Sequence, residues 1–448
     1  MNTSDTIAAI ATPIGSGGIG VIRISGSESL AIASQVFKPD PRSFLTHTAH
    51  HGAVVHPRSG EEIDDAVLTV FRGPRSYTGD DVVELSCHGG IATVRTALAA
   101  VLEAGARLAE PGEFTQRAFL NGRIDLAQAE AVNDLIRART DEARKVALRQ
   151  LDGKLSGKIS GVSSKILGVI AAVEAAIDFP EDVPEPEPEW IIGEIGAARS
   201  VVEDLLNTFG RGRIYREGLR VVIAGRVNVG KSSLLNALLR HARAIVTPIP
   251  GTTRDVIEES LEIRGIPIVA IDTAGLRATD DPVEQIGVEL SHRSIESADI
   301  VLLVIDASKG MHEEDRAMLE RLRGRQVIVA ANKIDLADGY HAEDESIILT
   351  SAPSGEGIEA LEDRIAEIAG SEPMGSEGIV VSNIRHERSL RSAYESLGQA
   401  IVTLGNAEPI DLLSGDLMAA RNALGLITGE TASEDLLDRI FSEFCIGK

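Results

Sequence analysis

A chain of 448 residues with 43% apolar content has material for about three domains, each with its own core. It carries 44 basic against 68 acidic residues, a net charge of −24, and only 3% aromatic residues. Nucleic acid is therefore repelled on average and a broad base-stacking platform is excluded, so an RNA partner must be met by a local basic patch or by a second protein. Two distant cysteines, Cys87 and Cys445, exclude a disulfide framework and a thiolate zinc site and fit a reducing cytosol. The longest uninterrupted apolar runs, such as 300–305, are strand-sized, so no membrane span is expected. The first basic side chain is Arg23, so no secretion signal is expected and the mature chain should start near Met1.

Residues 1–118 mix short β-rich runs, such as Gly20-Val21-Ile22-Arg23-Ile24 and Asp81-Val82-Val83-Glu84-Leu85, with glycine turns and a helix expected near 91–104, which predicts a small α+β domain. Over 119–216 the texture becomes helical. Leu126, Ala129, Val132 and Ile136, then Ala143, Val146 and Leu151, recur at helical spacing, and Asp125 with Gln128 has the form of a capping box. A helix over 161–178 is expected to stop at Pro180, and the acidic, proline-bearing run Glu181–Glu189 to be a solvated loop.

From 217 to 372 apolar strands (219–224, 267–271, 299–306, 326–331 and 346–350) alternate with helices, the pattern of a mostly parallel sheet covered on both faces. Helices resume over 373–448, ending behind Thr431-Ala432-Ser433-Glu434 read as a capping box. Both flanks of the α/β unit are helical and neither is a complete bundle. The unit is therefore expected to be inserted into a discontinuous helical domain.

The run Gly225-Arg226-Val227-Asn228-Val229-Gly230-Lys231-Ser232 matches G-x-x-x-x-G-K-S, follows a strand and opens a helix at Ser233. Its glycines let backbone N–H groups turn onto phosphate oxygens, Lys231 can reach the β- and γ-phosphates, and Ser232 can hold Mg²⁺. Asp272-Thr273-Ala274-Gly275 ends a later strand, where a carboxylate can hold Mg²⁺ through water and a glycine N–H can sense the γ-phosphate. Asn332-Lys333-Ile334-Asp335 ends another. The Asp335 carboxylate can accept from guanine N1 and N2, a donor pair adenine lacks, and Ser351 and Ala352 after the last strand complete a base-contacting loop. GTP is the expected nucleotide. Thr253, in Gly251-Thr252-Thr253-Arg254-Asp255, is the natural switch ligand for Mg²⁺. Leu276 stands where Ras-like enzymes place the glutamine that orients water, so hydrolysis must use another polar residue, a partner or an ion.

Taken together, these motifs and further segments resemble the MnmE (TrmE) family of tRNA modification GTPases, within the TrmE-Era-EngA-like group, over essentially the whole chain. The similar segments include 7–13, 20–26, Val83–Gly90, Gly112-Glu113-Phe114-Thr115, 118–123, Gln285-Ile286-Gly287 and the ending Phe444-Cys445-Ile446-Gly447-Lys448. The resemblance implies an N-terminal folate-binding domain that dimerises, a discontinuous helical domain and an inserted Ras-like P-loop G domain. It implies a K⁺ ion in place of an arginine finger, with Asn228, Thr247, Ile249 and Thr252 at the ligand positions in a loop that also holds Pro248 and Pro250, and Glu284 as the acid that orients water. Val229 and Pro250 are small departures that remove no ligand.

A tetrahydrofolate one-carbon derivative is implied at Arg23, Glu84, Arg123 and Lys448, and Cys445 is implied as a reactive thiol near a mobile tail. The implied partners are tRNA and an FAD-dependent protein similar to MnmG (GidA), in a heterotetramer or larger complex, in the cytoplasm and away from membranes. The expected product is a carboxymethylaminomethyl-type group on carbon 5 of the wobble uridine. A ribosome-assembly GTPase similar to Era or Der is the alternative, and a nucleotide-dependent scaffold a third reading. Cys87-His88, before two glycines, reads as a structural turn, and His47, His50, His51 and His56 as a solvated loop.

Overall fold

A computed structural model describes residues 5–244, 258–272, 294–337, 344–370, 378–406 and 410–448. It divides into two compact units, one of Met1–Asn133, Leu151–Ser164 and Arg421–Lys448, the other of Asp134–Gln150 and Lys165–Ala420.

In the first unit, β1 (Ile7–Ile10), β2 (Ile19–Ser25), β3 (Phe37–Lys38), β4 (Thr48–Val55), β5 (Glu62–Phe71), β6 (Val82–His88) and β7 (Arg107–Leu108) form a sheet in the order β3-β4-β5-β6-β2-β1-β7. Strand alternation sorts its two faces. Ile22, Ile24, Leu68, Val83 and Leu85 point to a core with α1 (Ser29–Val36) and α2 (Ile91–Glu103). The other face carries Ile7 and Ala9 against Phe114 of α3 (Glu113–Leu120), and the alternation puts Arg23 and Glu84 there too. His50 and His51 lie on β4 rather than in the expected loop, because a β-rich run with alternating exposure carries them. No group of three or more metal-ligating side chains occurs among the described residues.

Helices α4 (Leu126–Arg137) and α5 (Asp141–Leu151) bury Leu126, Ala129, Ala143 and Val146 of the predicted stripe but leave Ile136 exposed, and the Asp125–Gln128 box is formed, with reciprocal bonds of 3.0 and 2.9 Å. Helix α6 runs Lys154–Asp178 and, by length and composition, is long and apolar enough to cross a bilayer, with a mean hydropathy of 1.5 over its most apolar window. Lys158, Lys165 and several glycines and serines interrupt it, which is why uninterrupted apolar runs do not single it out. Its buried residues Leu155, Ile159, Val162, Ile166, Val169 and Val173 recur every three or four positions, the stripe of a helix packed on one side. The loop after it ends sooner than expected. Pro188 opens α7 (Pro188–Asn207) at the first helical position, where its missing N–H costs nothing. Helix α8 spans Phe209–Glu217.

The second unit holds a sheet of β8 (Leu219–Ala224), β9 (Arg243–Ala244), β10 (Glu258–Ile263), β11 (Ile266–Asp272), β12 (Ile300–Asp306), β13 (Val327–Asn332) and β14 (Ile348–Thr350), in the order β14-β13-β12-β8-β11-β10-β9. Pairing is parallel from β14 to β11 and antiparallel beyond. Strand β10 is an addition to the expected set. It joins β11 through Arg264-Gly265, both at positive φ (50° and 84°), a two-residue hairpin turn. One sheet face packs on α9 (Lys231–His241) and α11 (Ile358–Ile368), the other on α10 (Glu313–Arg321) and residues 295–298.

After α12 (Ile384–Gly405) and α13 (Ile410–Thr428), α14 is Glu434–Ser442. Its cap is Ser433, which accepts from the Leu436 N–H at 3.4 Å, and not Thr431, whose hydroxyl turns back to the Asn422 carbonyl.

Candidate functional site

The P-loop joins β8 to α9 through backbone geometry that only small residues reach. Gly225 and Gly230 have φ of 139° and 99°, and a Cβ on the first would meet the Val304 carbonyl, on the second the Asn332 side chain. Asn228, exposed, adopts the left-handed region at φ 65°. Lys231, buried at the first position of α9, donates to the Gly225 and Arg226 carbonyls at 2.8 Å each, its ammonium held over the loop it closes. Ser232 and Ser233 are exposed in the first turn of α9. A glycine-hinged loop, a helix N-terminus and a fixed ammonium are the parts of an anion cradle, and Ser232 offers a hydroxyl for Mg²⁺.

The second motif meets the first. Asn332, buried at the end of β13, donates to the Val229 carbonyl at 3.1 Å and accepts from the Ala352 N–H at 3.2 Å. Lys333, at φ 68°, donates to the Asn228 carbonyl at 2.5 Å. Asp335 is exposed, and the buried Ser351 donates its hydroxyl to the Asp335 carboxylate at 2.7 Å. One Asp335 oxygen is thereby oriented, while the carboxylate keeps acceptor capacity for a donor pair. Asp272 ends β11. Thr247, Pro248, Ile249, Pro250, Gly251, Thr252, Thr253, Thr273, Ala274, Gly275, Leu276 and Glu284 lie outside the described residues.

A separate cluster forms where the C-terminus returns to the first unit's sheet. Arg23 and Glu84 face each other across β2 and β6, bonded at 2.8–2.9 Å with side chains 15% and 25% exposed. The Arg23 guanidinium also lies 5.4 Å from the Tyr77 ring centre and 5.6 Å from that of Phe114, and donates to the Gly447 carbonyl at 3.3 Å. Burial, with the Arg23 charge behind it, pulls the Lys448 ammonium below the usual lysine range. Arg123 is exposed and packs by the loop at Gly79.

The tail is seated rather than free, which corrects its description as mobile. Ile446 pairs with Pro111 as an isolated bridge, Gly112 N–H donates to the Cys445 carbonyl, and Gly447 takes φ 93° where a side chain would strike the Ile10 carbonyl. Phe441 and Phe444 are buried with Leu126 and Ala129 while Cys445 is exposed, and its carbonyl accepts from the Lys448 N–H. Cys87, by contrast, is buried, with its thiol pushed up to about 12, and cannot serve as a nucleophile. His88 donates or accepts at Asp64, 2.7 Å away, and ends its strand as a structural pair. Sequence reasoning missed Tyr77 and Phe114 around Arg23; the only signal was the quoted Gly112-Glu113-Phe114-Thr115 segment.

Residues 126–445 match the model of the MnmE helical domain, and residues 6–123 that of the GTP-binding protein TrmE N-terminus. The tRNA modification GTPase MnmE of Acetivibrio thermocellus is 47% identical over 100% of both chains. The chain belongs to the MnmE family of tRNA modification GTPases. The MnmE proteins of Chloroflexus aurantiacus (50% identical, covering 99% of this chain and 100% of the relative) and Symbiobacterium thermophilum (49%, covering 99% of each) are similar throughout. Among solved structures, a single-residue variant of Aquifex aeolicus Era bound to GDP·AlF4⁻ is 27% identical, covering 40% of this chain and 66% of that one with a TM-score of 0.28. Membership makes the chain a GTP-binding P-loop GTPase whose substrate is tRNA, and the full-length relatives set aside the ribosome-assembly and scaffold readings.

Proposed function

We propose that the chain is a homodimeric, K⁺-stimulated GTPase that works with an FAD-dependent, MnmG-like protein, in a heterotetramer or larger complex, in the cytoplasm. Together they add a carboxymethylaminomethyl-type group at carbon 5 of the wobble uridine of certain tRNAs. Residues 1–118 form the dimerising folate domain, 217–372 the G domain, and 119–216 with 373–448 the helical domain.

The observation that carries this reading is the docked tail, which brings an exposed thiol beside a half-buried Arg23–Glu84–Lys448 cluster. The donor set suits a folate: Glu84 accepts from a pterin's donor edge, Arg123 and Lys448 attract its glutamate carboxylates, and Arg23 fixes Glu84. Bound there, a tetrahydrofolate derivative would supply the one-carbon unit. Cys445 is the thiol in reach of that chemistry.

At the G domain, Lys231 and the loop N–H groups would hold the phosphates, Asp335 with Ser351 and Ala352 would select guanine, and Asp272, Thr273, Ala274 and Gly275 would serve the γ-phosphate and its Mg²⁺. Ser232 and Thr253 would hold Mg²⁺. Asn228, Thr247, Ile249 and Thr252 would hold K⁺, which would supply the positive charge an arginine finger gives elsewhere, and Glu284 would orient water.

The test uses cells whose only copy carries Cys445→Ser, next to a strain lacking the gene. Nucleoside mass spectrometry of tRNA should show the wobble substituent lost in both, while the purified variant hydrolyses GTP at the parent rate. A normal substituent in the deletion strain would overturn the modification reading, and one in the Cys445→Ser strain alone would remove the thiol from it.

A further inference from the structure

We propose that Asp306 and Asp315, at the two ends of the connection from β12 to α10, are positioning residues for the GTP site, a pair of buried carboxylates that clamp the P-loop on either side of Val227. Neither belongs to the G-x-x-x-x-G-K-S or N-K-x-D patterns.

Asp306 ends β12 and is 2% exposed. One carboxylate oxygen accepts from the Ser308 N–H and hydroxyl at 3.1 and 2.6 Å, and the other faces the Lys333 ammonium at 2.7 Å. Lys333 donates onward to the Asn228 carbonyl at 2.5 Å, so the chain Asp306–Lys333–Asn228 ties the base-recognition loop to the left-handed residue of the P-loop. Burial pushes the Asp306 carboxyl up, but the Lys333 ammonium and the Ser308 hydroxyl outweigh it and keep the group ionised.

Asp315, 1% exposed, uses one oxygen to cap α10 through the His312 N–H at 3.0 Å and the other to accept from the Arg226 guanidinium at 2.9 Å. The Arg226 carbonyl in turn accepts from Lys231. Residues 226 and 228 are thus each held by a different carboxylate of one connection, with exposed Val227 between them. A buried carboxylate without its cation is costly, so each aspartate enforces the position of its partner. An anion cradle works only while its N–H groups converge, so a loop released at either point binds phosphate less well.

The inference rests on the P-loop being the nucleotide site, and the full-length protein tests both. Calorimetric titration with GTP and with GDP, at fixed Mg²⁺ and K⁺, should show Asp306→Asn and Asp315→Asn each weakening both nucleotides about tenfold, the cost of one charge-assisted bond. Arg226→Gln with Asp315→Asn should be no weaker than either alone, since both changes break one interaction. Asp315→Asn keeps an oxygen for the His312 N–H, so the α10 cap survives and any fall in the unfolding midpoint reports only the lost Arg226 pair. Affinities within about twofold of the parent, or losses that multiply in the double variant, would overturn the clamp. A fall in unfolding midpoint with affinity intact would leave the Asp315–Arg226 pair as a stabilising contact only. Lys231→Ala separates the premises: if it abolishes binding while the aspartate variants bind normally, the clamp alone falls, and if it binds GTP like the parent, the P-loop assignment falls with it.

Discussion

Asp335 is exposed, yet its carboxylate is aimed by the Ser351 hydroxyl and rests on a turn fixed by the left-handed Lys333. Exchanging one oxygen for an amide turns a charge-assisted pair with guanine N1 and N2 into a mismatch. Asp335→Asn should weaken GTP by about 2–3 kcal/mol, roughly 30- to 150-fold, and xanthosine triphosphate should bind it better, measured by competitive titration. A different residue governs acid stability. Glu113, buried, binds Arg107 at 2.6 Å, Arg117 at 3.0 Å and the Glu110 N–H at 2.9 Å. Burial pushes its carboxyl up, and the bonds from Arg107, Glu110 and Arg117 outweigh that and hold it below the usual range; Arg107 and Arg117 lower Asp5 likewise. The unfolded chain therefore binds these protons more readily than the folded one. Their contribution is complete above about pH 5 and is lost as pH falls below about 4 through the depressed folded values. Thermal melts across that window should show a falling midpoint, and Glu113→Gln should make the fall shallower while lowering stability at neutral pH.

Among the elements, the β8–α9 turn is the least tolerant of change. Its length and glycines follow from the need to bring β8, α9 and the end of β13 together: Gly230 sits at φ 99° with the Asn332 amide where a side chain would go. Gly230→Ala must both strain the backbone and displace Asn332, which ties Val229 to Ala352. The expected result is GTP affinity reduced at least tenfold, roughly the 1–3 kcal/mol of a strained position, with the sheet intact by circular dichroism. A variant that binds GTP normally would show that the loop can relax without Asn332. At the other end of the chain, α14 and the tail act as one element. Phe441 and Phe444 anchor it, and Gly112, at φ 71°, leaves room for the Phe441 carbonyl. The Gly112–Thr115 segment is therefore a packing device: a glycine seat, a buried ion pair of Glu113 with Arg117, a core ring at Phe114, and a Thr115 hydroxyl on Tyr77 at 2.8 Å.

For the molecule as a whole, catalysis and nucleotide binding should separate. No glutamine follows Gly275, so the proposed K⁺ must supply what a finger supplies elsewhere, between the facing G domains of the proposed dimer. Replacing K⁺ by Na⁺, or making Asn228→Ala, should depress turnover strongly and leave GTP affinity largely intact, with an upper bound near the roughly 10³–10⁵-fold of an arginine finger. Steady-state rates in matched salts check this, and equal rates would remove K⁺ from the mechanism.

The sequence by itself determined what repeats or matches at short range. The glycine spacing of the P-loop, the strand ends carrying Asp272 and Asn332, the Asp125–Gln128 box and the strand–helix alternation that makes the second sheet mostly parallel are patterns whose geometry follows from backbone sterics and side-chain period. It misplaced what depends on competition between neighbours. Ser433 rather than Thr431 caps α14, because Thr431 has a carbonyl to bond at Asn422, and Pro188 starts a helix that composition assigned to a loop. Only the tertiary structure decided that residues 23, 84, 447 and 448 share one surface, that the tail is seated beside them, and that Asp306 and Asp315 hold the P-loop. Those contacts join residues far apart in the chain, and a lone Arg, Asp or Lys in a sequence carries no mark of the partner that folding will bring to it.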